Sequence, residues 1–458
     1  MSRRAEFAAV LGICLIGLGL RLVQIDYNFD SDEVFSAQLA AQPLAELIRQ
    51  SLEDHPHPPL HNLLLAPWVH IFGSGEVSVR SFSVLCSGAF LLVAYCVLRR
   101  LVAPASALGA LAILSLSPFF VYYGQQARPY SLLALISAIN LLVFLRLLDR
   151  PSDRRRLISW AVSCAVLMWT QYLAVLTIAV ETAVLLPGLP RRNQWALFVG
   201  GVGSVATILP WLLLAMGSQL LHRTDPLPHI AWIERPATAD LVWFYVGIFG
   251  AVAGVQTRWL LLLLTMLGVT YYVKAIRYGL PRSALALTAL SLGVPWVVFL
   301  LSFYGPKPIF VTRQLIGPAL AFVGVLGLWT ASWPRWLGRT ALMVCLTWSA
   351  AAAPAAFPIH SKPPWRTIAD YIDREYPEIP VRTVDVWTNI PLSYYRRRGE
   401  VLLASGSLWG PSLLLGRPSE IEKLASHPVL LRDWSWRGMR DPEYPAAIGL
   451  YEINENPP

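Results

Sequence analysis

The chain has 458 residues, of which 55% are hydrophobic and only 14% charged. A soluble domain averages about 25% charged residues, so a water-soluble globule is excluded, and intrinsic disorder with it. The net charge of +9 comes from 37 basic and 28 acidic residues, but the basic ones stand in short clusters between apolar runs. That is a membrane-topology pattern, not a nucleic-acid surface.

A hydrocarbon core of about 30 Å takes about 20 helical residues. Apolar runs at 7–23, 79–98, 105–122, 131–148, 157–172, 173–187, 193–215, 258–276, 284–303, 314–331 and 340–357 predict an α-helical polytopic membrane protein with about 11 transmembrane helices. The first run follows Arg3 and Arg4 and has no small-residue cleavage site behind it, which reads as an uncleaved first helix. With the N-terminus inside, the cytoplasmic segments hold Arg3, Arg4, Arg99, Arg100, Arg150, Arg154, Arg155, Arg156, Arg191, Arg192, Lys274, Arg277, Arg282, Arg335 and Arg339, opposed only by Glu6, Asp149 and Asp153. The positive-inside rule fixes this orientation. It leaves 24–77, 122–129, 217–257, 302–313 and everything from Pro358 for the outer side. In a bacterium that is the periplasmic face of the inner membrane. The five cysteines lie inside apolar runs and read as small buried hydrophobes.

The division predicted is a transmembrane domain over 1–357, with an acidic outer loop at 24–77, and a small extracytoplasmic α/β domain over 358–458. The tail carries 12 basic and 13 acidic residues. Its pattern predicts a helix at 365–376, strands at 381–387 and 401–405, and a short helix after Asn389 that Gly399 terminates. A capping box at Ser419-Glu-Ile-Glu422 opens a further helix to 426, and strands follow at 429–433 and 448–453.

Candidate chemistry gathers on the outer side. The stretch Asn28-Phe-Asp-Ser-Asp-Glu33 follows the first span. Adjacent carboxylates there suit a metal, a cationic substrate or a general base, and a solvated acidic loop is the plain alternative. In His55-Pro-His57-Pro-Pro-Leu60-His61 the prolines predict a rigid extended turn; the spacing matches no standard zinc pattern, which favours hydrogen bonding. In Tyr122-Tyr-Gly-Gln-Gln-Ala-Arg128-Pro-Tyr130, a guanidinium at the membrane boundary calls for an anion, and phosphate is its natural bidentate partner. Lys307 and Arg313 lie on the same side before a late span. Lipid headgroups are the alternative partner for all three. Glu181, mid-span, reads as a hydrogen-bonded structural carboxylate.

Taken in order, Asp32-Glu33 after the first helix, His57-Pro-Pro-Leu60 before the second, Gln126-Ala-Arg128-Pro-Tyr130 between the third and fourth, Arg313 before a late helix and a tail beginning near Trp365 resemble the GT-C superfamily of polytopic glycosyltransferases. The pattern is most similar to bacterial relatives of the protein O-mannosyltransferases and of the aminoarabinose transferases that modify lipid A. The resemblance implies an inverting transfer of a hexose or pentose from a polyprenyl-phosphate donor to a lipid, glycan or protein acceptor on the outer face. By position, Asp32 is the catalytic base with Glu33 beside it supporting the loop or the acceptor. Arg128 and Tyr130, with Arg313, hold the donor phosphate, and His57 and Lys307 line the substrate loop. Gln314 follows Arg313 where relatives often carry tyrosine. No cofactor is implied firmly, and a divalent cation is left open. The rival reading is a transporter or flippase of a lipid-linked saccharide, a class marked by inverted repeats and midplane charge pairs; the sequence displays neither.

Overall fold

The computed structural model describes residues 2–53, 57–222, 233–250, 255–404, 410–424, 428–435 and 447–455. All eleven apolar runs fall in helices. Among the described residues seven helices are long and apolar enough to cross a membrane, or eight if the bent pair Pro104–Leu116 and Pro118–Gln125 makes one span. The predicted count of eleven is therefore not matched by length. Arg154–Met168 and Ala174–Leu185 have 15 and 12 residues, or roughly 22 and 18 Å at 1.5 Å per residue, short of a full hydrocarbon core.

The bent pair shows how one buried charge organises the bundle. Its two helices meet at 54°. Pro118 has no N–H to give Leu114 and disfavours helical geometry at Ser117, whose hydroxyl instead accepts from the Phe120 amide. Arg21, fully buried in the first helix Arg3–Leu22, donates to the freed carbonyls of Leu114 (3.3 Å) and Ser115 (3.0 Å), to those of Phe120 and Gly17, and to the Ser87 hydroxyl. Gly124 lies against this guanidinium: a Cβ there would stand 2.8 Å from Arg21 Nε and 2.6 Å from Ser87 Oγ.

Where the sequence predicted one acidic loop over 24–77, the chain folds three helices, Ser31–Ala40, Leu44–Glu53 and Leu60–Phe72; the turn predicted before Leu60 lies partly on residues 54–56, outside the described residues. Leu47 of the second helix packs with Leu39 and Ala66. The first and third helices form a separate core from Val34, Ala37, Ala40, Leu65 and Val69, with Phe29, Val79 and Ala127. Ile390, Tyr394 and Tyr395 of the tail pack against it, so this outer segment and the tail lie on the same end of the bundle.

The tail is the α/β unit expected. Helix Trp365–Glu375 leads to β1 (Val381–Thr383), helix Val386–Tyr395, β2 (Val401–Leu403), β3 (Gly410–Gly416), helix Pro418–Leu424, β4 (Val429–Ser435) and β5 (Ala447–Glu455). The sheet order is β2-β1-β3-β5-β4. Strand β1 runs parallel to β2 and β3, with Val381 opposite Val401 and Leu413, and β5 runs antiparallel to β3 and β4. Trp365, Ile368 and Ile372 cover the sheet face formed by Val381, Leu413, Leu415 and Leu450. The predicted strand at 381–387 stops at Thr383, because Asp385 accepts from the Thr388 amide at 2.7 Å and starts a helix. The central strand β3 was missed, since its three leucines are enclosed by Gly410-Pro411 and Gly416, residues that ordinarily punctuate strands.

Candidate active site

Helix Ser31–Ala40 carries Asp32 and is opened by a reciprocal capping box. The Asp30 carboxylate accepts from the Glu33 amide at 3.0 Å, and Glu33 Oε2 accepts from the Asp30 amide at 3.2 Å. Such a box satisfies two donors that a helix start leaves unpaired. Here it also fixes the direction in which Asp32, between the two capping residues, leaves the backbone.

Glu33 does far more than cap. It is wholly buried and accepts a bidentate pair from Arg80, with Nε at 3.0 Å and Nη2 at 2.6 Å. Its Oε2 also takes the Lys362 ammonium, and its Oε1 takes the Ala127 amide at 2.9 Å. Burial alone would raise the Glu33 pKa, but Arg80 and Lys362 override it and hold the carboxyl well below its ordinary value. Arg80 spends its remaining donors on the carbonyls of Ile25, Tyr27 and Asn28. The loop entering the helix is thereby clamped to the start of helix Glu76–Leu101.

The bond from Ala127 sets the site. Ala127 lies in the turn between Pro118–Gln125 and Tyr130–Asp149, and fastening it to Glu33 brings Arg128 over the first turn of the acidic helix. Arg128 Nη1 donates to the Ser36 hydroxyl at 3.2 Å and to the Asp32 carbonyl at 3.4 Å, and Nη2 stands 3.9 Å from Asp32 Oδ1. The Asp32 side chain is 23% exposed and that of Arg128 11%, so neither is sealed in the interior. Next to them, Arg313, from the turn Thr312–Leu315, lies over the Tyr130 ring at 5.7 Å. His57 meets the same ring edge-on at 6.3 Å. Burial lowers the His57 pKa well below its usual value, and the charges of Arg128 and Arg313 push it further down. Both effects favour the neutral imidazole.

Five of the sequence-predicted residues thus converge: Asp32, Arg128, Tyr130, Arg313 and His57. Glu33 is adjacent but turned inward. Lys307 is exposed in the connection before Arg313 and joins none of these contacts among the described residues. Glu181 lies elsewhere in the bundle, accepting from Trp160 Nε1 at 2.7 Å and Asn140 Nδ2 at 3.5 Å. His55, and residues 223–232 of the outer segment 217–257, lie outside the described residues. Among the described residues no group of three or more His, Cys, Asp or Glu side chains gathers in a metal-holding arrangement. A cavity of about 450 Å³ lined by Ala37, Gln38, Ala41, Gln42, Gln50, Ser74 and Tyr394 is not part of the cluster. At about 100° per residue, Ala37 and Ala41 project from the side of the helix opposite Asp32.

Sequence reasoning missed Arg80 and Lys362. Arg80 carried a signal, an ionisable residue inside an apolar run; Lys362, separated from Glu33 by 329 positions, carried none.

The model of the dolichyl-phosphate-mannose-protein mannosyltransferase family matches residues 56–214, a stretch that contains His57, Arg128 and Tyr130. Over its whole length the chain is similar in structure to ArnT from Cupriavidus metallidurans bound to undecaprenyl phosphate: 15% identity, 98% of each chain covered, TM-score 0.57. It is also similar to the Archaeoglobus fulgidus oligosaccharyltransferase tethered to an acceptor peptide, at 13% identity over 89% of this chain and 65% of that one, with a TM-score of 0.53. The same archaeal enzyme in complex with an inhibitory peptide and a dolichol-phosphate matches at 12% identity over 87% of this chain and 64% of that one, with a TM-score of 0.51. No curated protein sequence matches. The chain thus shares the fold of these solved GT-C glycosyltransferases, and among the described residues it has seven or eight helical segments long and apolar enough to cross a membrane.

Proposed function

We propose that this chain moves a sugar from a polyprenyl-phosphate donor to an acceptor hydroxyl at the periplasmic face of a bacterial inner membrane, with inversion at the anomeric carbon. The observation that carries the reading is the meeting of the partly exposed Asp32 and Arg128, 3.9 Å apart, with Arg313, Tyr130 and His57 alongside. The acceptor hydroxyl attacks the anomeric carbon while Asp32 takes its proton. The bond from that carbon to the phosphate oxygen breaks, and the electron pair leaves with the polyprenyl phosphate. A positioned base contributes about 10²–10⁴ to such a step.

Negative charge grows on the leaving phosphate, and two guanidiniums fixed before it arrives stabilise that charge where water is excluded. The neutral His57 adds an N–H donor without adding a third positive charge. Glu33, spent on Arg80, Lys362 and Ala127, serves by holding Asp32 and Arg128 in register. A site at the rim of a helical bundle lets the donor's prenyl tail lie in lipid.

The sugar and the acceptor are found together by mass spectrometry of envelope lipids and glycans from a strain lacking the protein. One glycosylated species should disappear, return with the wild-type chain, and stay absent with Asp32→Asn. Its full return with Asp32→Asn refutes the assignment of the base.

A further inference from the structure

The contacts at the start of the tail raise a question that membrane anchoring does not answer. Asp30, Glu33, Arg80 and Lys362 form a closed cluster of two carboxylates and two cations, each side chain at most 3% exposed. Arg80 already engages both oxygens of Glu33. The second cation comes from outside the bundle, at the entrance to the tail, and lies 3.2 Å from Asp30 Oδ2 while also binding Glu33 Oε2. These are the two residues of the capping box that aims Asp32.

A buried ammonium is a poor device for stability alone, because an apolar group of similar size is often as good or better. What it supplies is a specific position. Three more contacts hold the same junction. Asn28 Nδ2 donates to the Pro363 carbonyl at 2.8 Å, the Phe29 amide donates to the Tyr395 hydroxyl at 2.6 Å, and Arg366 pairs with Glu76 at 2.6 Å. Helix Val386–Tyr395 packs directly on helix Ser31–Ala40.

We infer that Lys362 is a positioning residue for the transfer reaction: through Asp30 and Glu33 it locks the first turn of the Asp32 helix, so that the tail forms part of the catalytic apparatus. The inference rests on Asp32 being the base. A misplacement of about 1 Å in a catalytic group costs about 10²-fold in rate, whereas the donor phosphate is held by Arg128 and Arg313, which Lys362 does not touch. Losing Lys362 therefore lowers kcat and spares the KM for donor.

Lys362→Met alone leaves an excess buried carboxylate and can fail by misfolding. The test accordingly uses the charge-balanced pair Asp30→Asn/Lys362→Met, which keeps the Glu33–Arg80 bridge and a capping side chain at position 30, with Lys362→Arg and Asp32→Asn in parallel. The full chain is assayed in liposomes with its polyprenyl-phosphate sugar. The expected result is a kcat about 100-fold lower for the pair, a donor KM within about threefold of wild type, faster amide exchange over 31–37, and partial recovery of kcat in Lys362→Arg. Wild-type kcat and unchanged exchange in the folded pair overturn the inference, as does an equal loss expressed wholly in donor KM. Failure of the base assignment is read separately: Asp32→Asn then turns over normally whatever the pair does.

Discussion

Replacing Glu33 by glutamine tests the cluster that holds the site together. The carboxylate accepts five hydrogen bonds, from Arg80 Nε and Nη2, Lys362 Nζ and the amides of Ala127 and Asp30. Glutamine keeps the volume but offers one acceptor oxygen, and its NH₂ faces donors. Two buried cations are then balanced by Asp30 alone. Removing one partner of a buried ion pair costs about 3–5 kcal/mol. At 1.36 kcal/mol per tenfold, the lower end means that the segment around residues 28–37 opens about 100-fold more often. Hydrogen exchange of those amides in nanodiscs reads that opening directly, and peptides from helix Tyr130–Asp149 serve as the internal control. Exchange of 28–37 within threefold of wild type would refute the claim that Glu33 fastens Asp32 to Arg128.

Three further outcomes are expected. Arg128→Ala lowers transfer by about 10²–10³, and Arg128→Lys restores only part of it because an ammonium lacks the planar fork; steady-state transfer rates decide. Glu33 has a folded pKa well below its ordinary 4.5, so its contribution to stability is fully present above about pH 4.5 and is lost as the pH falls through the lower, folded value. The gap in melting temperature between wild type and Glu33→Gln should hold constant from about pH 7 to 8, above the buried Asp30, whose pKa is raised to about 6, and close in strong acid as Glu33 itself is protonated. Gly124→Ala pushes a methyl group against Arg21 and Ser87 and should cost about 1–3 kcal/mol by overpacking, seen as a lower melting temperature.

The sequence made the membrane part legible because apolar runs of span length leave few alternatives. The basic clusters set Asp32, Arg128 and Arg313 on one side of the membrane, and only the resemblance to the GT-C glycosyltransferases implied that they share a site with Tyr130. What it could not display were partners across long separations. Glu33 looked like a companion of Asp32 at the surface and is instead enclosed by Arg80 and Lys362. The membrane part also looked nearly free of charge apart from Glu181, yet Arg21 and Arg80 are fully buried at the ends of two spans. Both guanidiniums find carbonyls that a helix break or a loop leaves over, and such carbonyls leave no trace in composition. The short helices at 31–40 and 44–53 were read as loop because the acidic residues that favour a helix start also favour solvent.

The central claim is that proton removal by Asp32 drives sugar transfer from a lipid phosphate held beside it. The most direct measurement is transfer from a polyprenyl-phosphate sugar by the purified protein in liposomes, with envelope lipids as acceptor, comparing wild type and Asp32→Asn at equal donor occupancy. The account predicts a rate at least about 100-fold lower in Asp32→Asn with binding of the donor lipid unchanged. A rate within threefold of wild type would contradict it.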